Sequence, residues 1–228
     1  MTSSILSAKG IEKFYSQDDQ KQLVLRGVTA DFEQGKSYAL TGVSGSGKST
    51  FLHILGGLDT PTAGDLFFDE ENIKSFSQKR KESFLNKEIG FVFQFHYLIN
   101  EFSVLENLMV PGLIFGENRN FCKQRAKELL SFMQLENVEK KYPFELSGGE
   151  LQRVSALRAL FNKPKFILAD EPTGNLDARN AAKMVDLFLK CQHEWGLGII
   201  ICSHDPDVYD RMDTIFKLHE GVLSVAKK

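Results

Sequence analysis

Residues Gly42-Val43-Ser44-Gly45-Ser46-Gly47-Lys48-Ser49-Thr50 set glycines, a lysine and hydroxyls in the order G-x-x-x-x-G-K-[ST]. Such glycines let the backbone wrap a phosphate with its N–H groups turned inward, and a following helix adds its positive end. Lys48 is spaced to reach the β- and γ-phosphates of a nucleotide, and the Ser49 hydroxyl to ligate Mg²⁺. A second candidate is Phe166-Ile167-Leu168-Ala169-Asp170-Glu171. A carboxylate ending a buried strand beside a phosphate loop can hold Mg²⁺, which assigns Asp170 to the metal. Glu171 is then free to orient or deprotonate an attacking water. Together they predict a site for a nucleoside triphosphate.

Elements must hold these residues in place. Ser37 to Thr41 is apolar enough for a buried strand, and Lys48 to Leu55 reads as a helix ended by Gly56-Gly57. Residues 4–15 and 23–32 read as strands around a turn-rich break, Ser16 to Lys21, and Asp65 to Phe68 reads as another. Ile89 to Phe93 and Gly198 to Cys202 are further strands, and the charged stretch 71–88 is irregular or weakly helical. Apolar residues at helical spacing mark helices through Ala126, Leu129, Leu130 and Met133, through Leu151 to Phe161, and through Met184 to Leu189. Ile215 to Leu223 suggests a hairpin turning at Glu220-Gly221. Strands alternating with helices predict an α/β fold with a mainly parallel sheet, preceded by an antiparallel β part. The helical middle, about residues 95–160, is expected to be an inserted subdomain between core segments of about 1–94 and 161–228.

The 228 residues suffice for one large domain, and a net charge of −2 gives no reason to expect nucleic acid as a partner. The cysteines Cys122, Cys191 and Cys202 are too few and scattered for a disulfide framework or a metal cluster, so Mg²⁺ is the only metal expected. No signal peptide or membrane-spanning run is legible, which predicts a soluble cytosolic chain. His53 and Trp195 read as packing residues, and Lys79-Arg80-Lys81 as a solvated face.

Leu146-Ser147-Gly148-Gly149-Glu150-Leu151-Gln152-Arg153 opens a helix ahead of the acidic motif. It closely resembles the signature of ATP-binding-cassette (ABC) ATPases. Asp170 to Asp177 resembles that family's acidic motif and D-loop, Ser203-His204-Asp205 its switch histidine, and Gln94 its Q-loop. The resemblance implies a P-loop NTPase fold and ATP hydrolysis with Mg²⁺. It implies a head-to-tail homodimer, each ATP lying between one chain's phosphate loop and Ser147, Gly148 and Gly149 of the other. By the same resemblance Glu171 is the general base, His204 contacts the γ-phosphate and attacking water, Gln94 joins Ser49 and Asp170 at Mg²⁺, and Asp177 couples the two sites. Tyr15 matches the aromatic that stacks on adenine, with Phe14 beside it as the other ring that could face the base.

Phe93-Gln94-Phe95-His96 and the following Glu101-Phe102 and Leu105-Glu106-Asn107-Leu108 are similar to the ATPase subunits of bacterial lipoprotein-releasing exporters. Tyr97, Ile99 and Asn100 depart from that pattern, where a second His, Leu and Pro are common. Phe95, Tyr97, Leu98 and Phe102 form either an exposed groove for a permease helix, about Phe95 to Leu105, or an ordinary part of the helical core. The resemblance therefore implies a peripheral protein on the cytoplasmic face of the bacterial inner membrane. Pro172-Thr173-Gly174-Asn175-Leu176-Asp177 is shared more widely, which leaves a cell-division or macrolide-exporter cassette as the alternative.

Overall fold

The computed structural model describes residues 3–17 and 20–227. Strand β1 (Ile5–Gln17) pairs antiparallel with β2 (Gln20–Glu33), which turns Leu6, Ala8 and Ile11 and then Leu25, Val28 and Phe32 into one core. The pairing continues through Ser16 with Lys21 and Gln17 with Gln20, so the expected break is mostly strand, and its remaining residues, 18 and 19, lie outside the described ones. β3 (Ser37–Thr41) leads through the glycine-rich loop into α1 (Lys48–Leu55). β4 (Ala63–Phe68) pairs with β1 and with the short β5 (Glu71–Asn72), completing a sheet of order β2-β1-β4-β5. The charged stretch then gives α2 (Gln78–Ser83) and a π-helical turn, Phe84–Glu88, the helical one of its two expected states.

β6 (Ile89–Val92) is followed by α3 (Val104–Ile114), α4 (Arg119–Phe132) and α5 (Gly148–Ala159). The chain returns through β7 (Phe166–Asp170), α6 (Ala178–Trp195), β8 (Gly198–Cys202) and α7 (Pro206–Tyr209) to the hairpin β9 (Thr214–His219) and β10 (Val222–Lys227). These strands form a sheet of order β10-β9-β3-β8-β7-β6, parallel from β9 to β6, with β10 antiparallel at its edge. The hairpin turns at Glu220-Gly221 as expected.

Successive side chains of a strand face opposite ways, so each parallel strand serves two cores. Leu40, Leu168 and Ile200 pack on Phe51, Leu52 and Leu55 of α1 and on the antiparallel sheet. Ala39, Ile167 and Ile201 pack on Met184, Val185 and Phe188 of α6. Burying a side chain such as Phe51 contributes roughly 1.5–3 kcal/mol, and that packing fixes the phosphate loop between β3 and α1. A third cluster joins Leu108, Leu129, Leu130 and Leu157 of the three middle helices.

These helices start at Val104; residues 95–103 have no regular backbone pattern. Side chains hold that segment instead. The fully buried Asn107 accepts from the Ile99 N–H at 2.8 Å and donates to the Ile99, Phe102 and Ser103 carbonyls. Arg158 donates to the Tyr97 and His96 carbonyls at 2.7 and 3.0 Å. Of the two alternatives for this run, Leu98 takes the core, buried in the third cluster, whereas Phe95 and Tyr97 are 64% and 63% exposed. No helix among the described residues is long and apolar enough to cross a membrane.

Candidate active site

A cavity of about 730 Å³ opens over the glycine-rich loop and brings together residues far apart in the chain. Gly42, Val43, Ser44, Gly45, Gly47, Lys48, Ser49 and Thr50 line one side, with Gln94, Glu171 and His204 on the other. Val24 and Gly174 complete it, and no motif pointed to Val24. The loop needs its glycines. Gly42 has φ +151°, and a Cβ there would strike the Leu218 carbonyl; Gly47 has φ +101° and would press on Val24 and Leu25. Lys48 is buried, and its Nζ donates to the Gly42 and Val43 carbonyls at 2.8 and 3.2 Å. The Ser46 hydroxyl is buried beneath the loop without a hydrogen-bond partner.

β7 and β8 deliver the acidic side. Asp170 ends β7, and its Oδ1 accepts from the Ser49 hydroxyl at 3.0 Å. Glu171 follows in the left-handed region at φ 45°, its N–H donating to the Cys202 carbonyl at 3.0 Å. That conformation costs roughly 1–2 kcal/mol for a residue with a Cβ, and the neighbouring strand holds it in place. His204, beyond the end of β8, sets Nδ1 3.1 Å from both Glu171 carboxylate oxygens. Ser49, Asp170 and Gln94 offer a hydroxyl, a carboxylate and an amide, the hard oxygen donors that suit Mg²⁺. The donor set fits a magnesium–nucleotide complex.

The remaining predicted residues stand apart from this cavity. Among the described residues, neither Tyr15 nor Ser147, Gly148, Gly149 or Asp177 lines it. Tyr15 is 43% exposed and donates its hydroxyl to Asp59 at 2.9 Å, while Lys13 bonds the other Asp59 oxygen at 2.6 Å; Phe14 is half-buried. Ser147 caps α5, with Gly148 at its exposed first position, and Asp177 caps α6. Between them stands Asn180, which the motifs did not single out. It donates to both Asp177 oxygens, and its amide would collide with a Cβ at Gly149. Gln152, quoted in the signature stretch but given no role there, is buried and donates to the Phe93 carbonyl at 2.8 Å, tying α5 to the start of the Q-loop. Trp195 packs as expected, its ring 5.0 Å from that of Phe132.

The ABC transporter family model matches residues 25–174. This chain belongs to the ABC transporter family. Among its relatives is the lipoprotein-releasing system ATP-binding protein LolD of Bdellovibrio bacteriovorus, 42% identical over 95% of this chain and 98% of that protein. The LolD protein of Saccharophagus degradans is also 42% identical, over 98% of both chains. A dimeric bacterial ABC transporter cassette superposes with a TM-score of 0.89 at 33% identity, covering 98% of this chain and 99% of its own. A second structure of that cassette, a dimer in a post-hydrolysis state bound to ADP and Pi, matches equally well. The expected fold is the ABC cassette fold, and the chain is an ATPase of the ABC type.

Proposed function

We propose that this chain is the ATP-hydrolysing subunit of a membrane complex that releases lipoproteins from the bacterial inner membrane. The observation that carries it is the 42% identity with lipoprotein-releasing ATP-binding proteins along nearly the whole chain. The same relatives favour export over the cell-division and macrolide readings. On this reading the protein sits peripherally on the cytoplasmic face, bound to permease subunits. Phe95, Tyr97 and Phe102, exposed on a segment pinned by Asn107 and Arg158, suit a permease helix. The chain divides into a catalytic core, about residues 1–94 and 161–228, and a helical subdomain of about 95–160.

ATP lies with its phosphates against the loop N–H groups and the start of α1, and its base against Tyr15 or the adjacent Phe14. Lys48 leaves the Gly42 and Val43 carbonyls for the β- and γ-phosphates. Ser49, Asp170 and Gln94 would hold Mg²⁺, whose charge would offset that of the phosphates. Glu171 takes the proton of a water whose oxygen bonds the γ-phosphorus, while the bond to the bridging oxygen breaks and ADP leaves. His204, now on the Glu171 carboxylate, turns to the γ-phosphate and holds that water. Each site is completed by Ser147, Gly148, Gly149 and Asp177 of a second copy, which is why these residues stand away from their own chain's cavity. The test is reconstitution of the chain with its permease in vesicles carrying a labelled lipoprotein. ATP-dependent release supports the reading; ATP turnover with every lipoprotein retained would refute it.

A further inference from the structure

The nine-residue motif ends before His53, yet this side chain reaches the same carboxylate. Ser49 and His53 are four residues apart on α1 and therefore share a face. The Ser49 hydroxyl meets Asp170 Oδ1 at 3.0 Å, and His53 Nε2 lies 3.9 Å from Oδ2. That gap is too long for a hydrogen bond, and Nε2 is buried with no other partner. A buried polar atom left unpaired is destabilising, so the nitrogen gains from any shift that closes the gap. The His53 ring packs beside Phe91 and Phe93, centroids 6.3 and 6.0 Å away, and these two rings stack at 5.4 Å.

We propose that His53 is a positioning residue for the metal-binding carboxylate: its imidazole donates Nε2–H to Asp170 Oδ2 when Asp170 serves the Mg²⁺ site. One face of α1 would then hold both oxygens, Ser49 from one side and His53 from the other, and fix the direction of the carboxylate. The inference rests on the assignment of Asp170 and Ser49 to Mg²⁺. A ring that served packing alone would lower stability when replaced and leave the magnesium requirement untouched.

The experiment follows binding of a fluorescent ADP analogue to the full chain as Mg²⁺ is titrated, with thermal melting in parallel. Partners that orient metal ligands are typically worth 10–100-fold in metal affinity. His53→Leu should raise the half-saturating Mg²⁺ concentration by about tenfold, the lower end, because Ser49 still holds Oδ1. His53→Gln, whose amide can donate to Oδ2, should stay within about threefold of wild type, and both should bind the analogue normally in EDTA. His53→Asn, too short to reach, replaces the leucine variant if that fails to fold. An unchanged magnesium requirement in the leucine or asparagine variant, or a glutamine variant no better than leucine, overturns the inference. Wild-type binding that ignores Mg²⁺ would instead overturn the assignment of Asp170 and Ser49.

Discussion

Glu150→Gln separates what the signature helix needs when free from what it needs on a nucleotide. The free helix is closed by a capping box. The Ser147 N–H and hydroxyl both donate to Glu150 Oε2, at 2.9 and 2.7 Å, and the Ser147 hydroxyl accepts from the Glu150 N–H. Those donors hold the Glu150 carboxyl below its ordinary value. Glutamine keeps an oxygen for the Ser147 N–H but loses the charge at the helix's positive end, worth about 0.3–1 kcal/mol. We therefore expect melting to fall by about 1–3 °C at neutral pH. Because the folded pKa is lowered, this stabilisation is present above the unfolded value and is lost as pH falls through the folded one. The difference between the two proteins should accordingly shrink in acid. In the proposed sandwich the Ser147 hydroxyl must instead serve a γ-phosphate, two hydrogen bonds or about 5 Å from the carboxylate. Two unit charges at about that distance repel by ~0.8 kcal/mol in water, less with salt. Glu150→Gln should thus tighten ATP-driven dimerisation at low salt by up to about fourfold per site, or roughly fifteenfold for the two sites of a dimer. Dimer dissociation constants of a Glu171→Gln trap, with and without the change, decide it. Weaker dimerisation, or tightening that persists in high salt, would refute the reasoning.

Glu171→Gln alone should retain ATP binding, lose roughly 10²–10⁴-fold in hydrolysis because an amide cannot take the proton, and elute with ATP as a stable dimer. Lys48→Ala should weaken ATP binding by tenfold or more, read by equilibrium fluorescence, since it removes a charge-assisted contact worth about 1.5–3 kcal/mol. The three native cysteines are buried, with the Cys191 thiol pushed up to about 12 by burial, so iodoacetamide should leave the native protein unmodified. A cysteine at Phe95 should then capture the permease by cross-linking, whereas equal capture from Lys217 on β9 would argue against the docking segment.

The parts legible in sequence were those governed by local rules. The strand before Gly42, the helix through Leu55 and the hairpin at Glu220-Gly221 follow from periodicity and glycine, and the structure has all three. Ser16 and Lys21 looked like turn residues because polar side chains say little about a two-stranded ribbon, yet cross-strand pairing carries both. For Leu98 the sequence leaves both an exposed groove and the helical core open, because it lies among aromatics that periodicity does not place, and the structure buries it. Its burial depends on Asn107 and Arg158, which pin residues 96 to 103 from one helix ahead and another far along the chain. His53 read as packing, and it does pack on Phe91 and Phe93; the nearby carboxylate comes from β7, a distance no local pattern encodes. Asn180 was invisible for the same reason, since its contact with Gly149 joins two separate motifs.

The central claim is that each ATP is held by the phosphate loop of one copy and the signature of another. A mixing experiment in the Glu171→Gln background tests it most directly. One chain carries Lys48→Ala and an intact signature; the other carries Ser147→Arg and an intact loop. Neither alone should retain ATP. An equimolar mixture pairs the intact loop of one chain with the intact signature of the other, and should retain one tightly held nucleotide per dimer after gel filtration. A mixture as empty as its separate components would contradict the account.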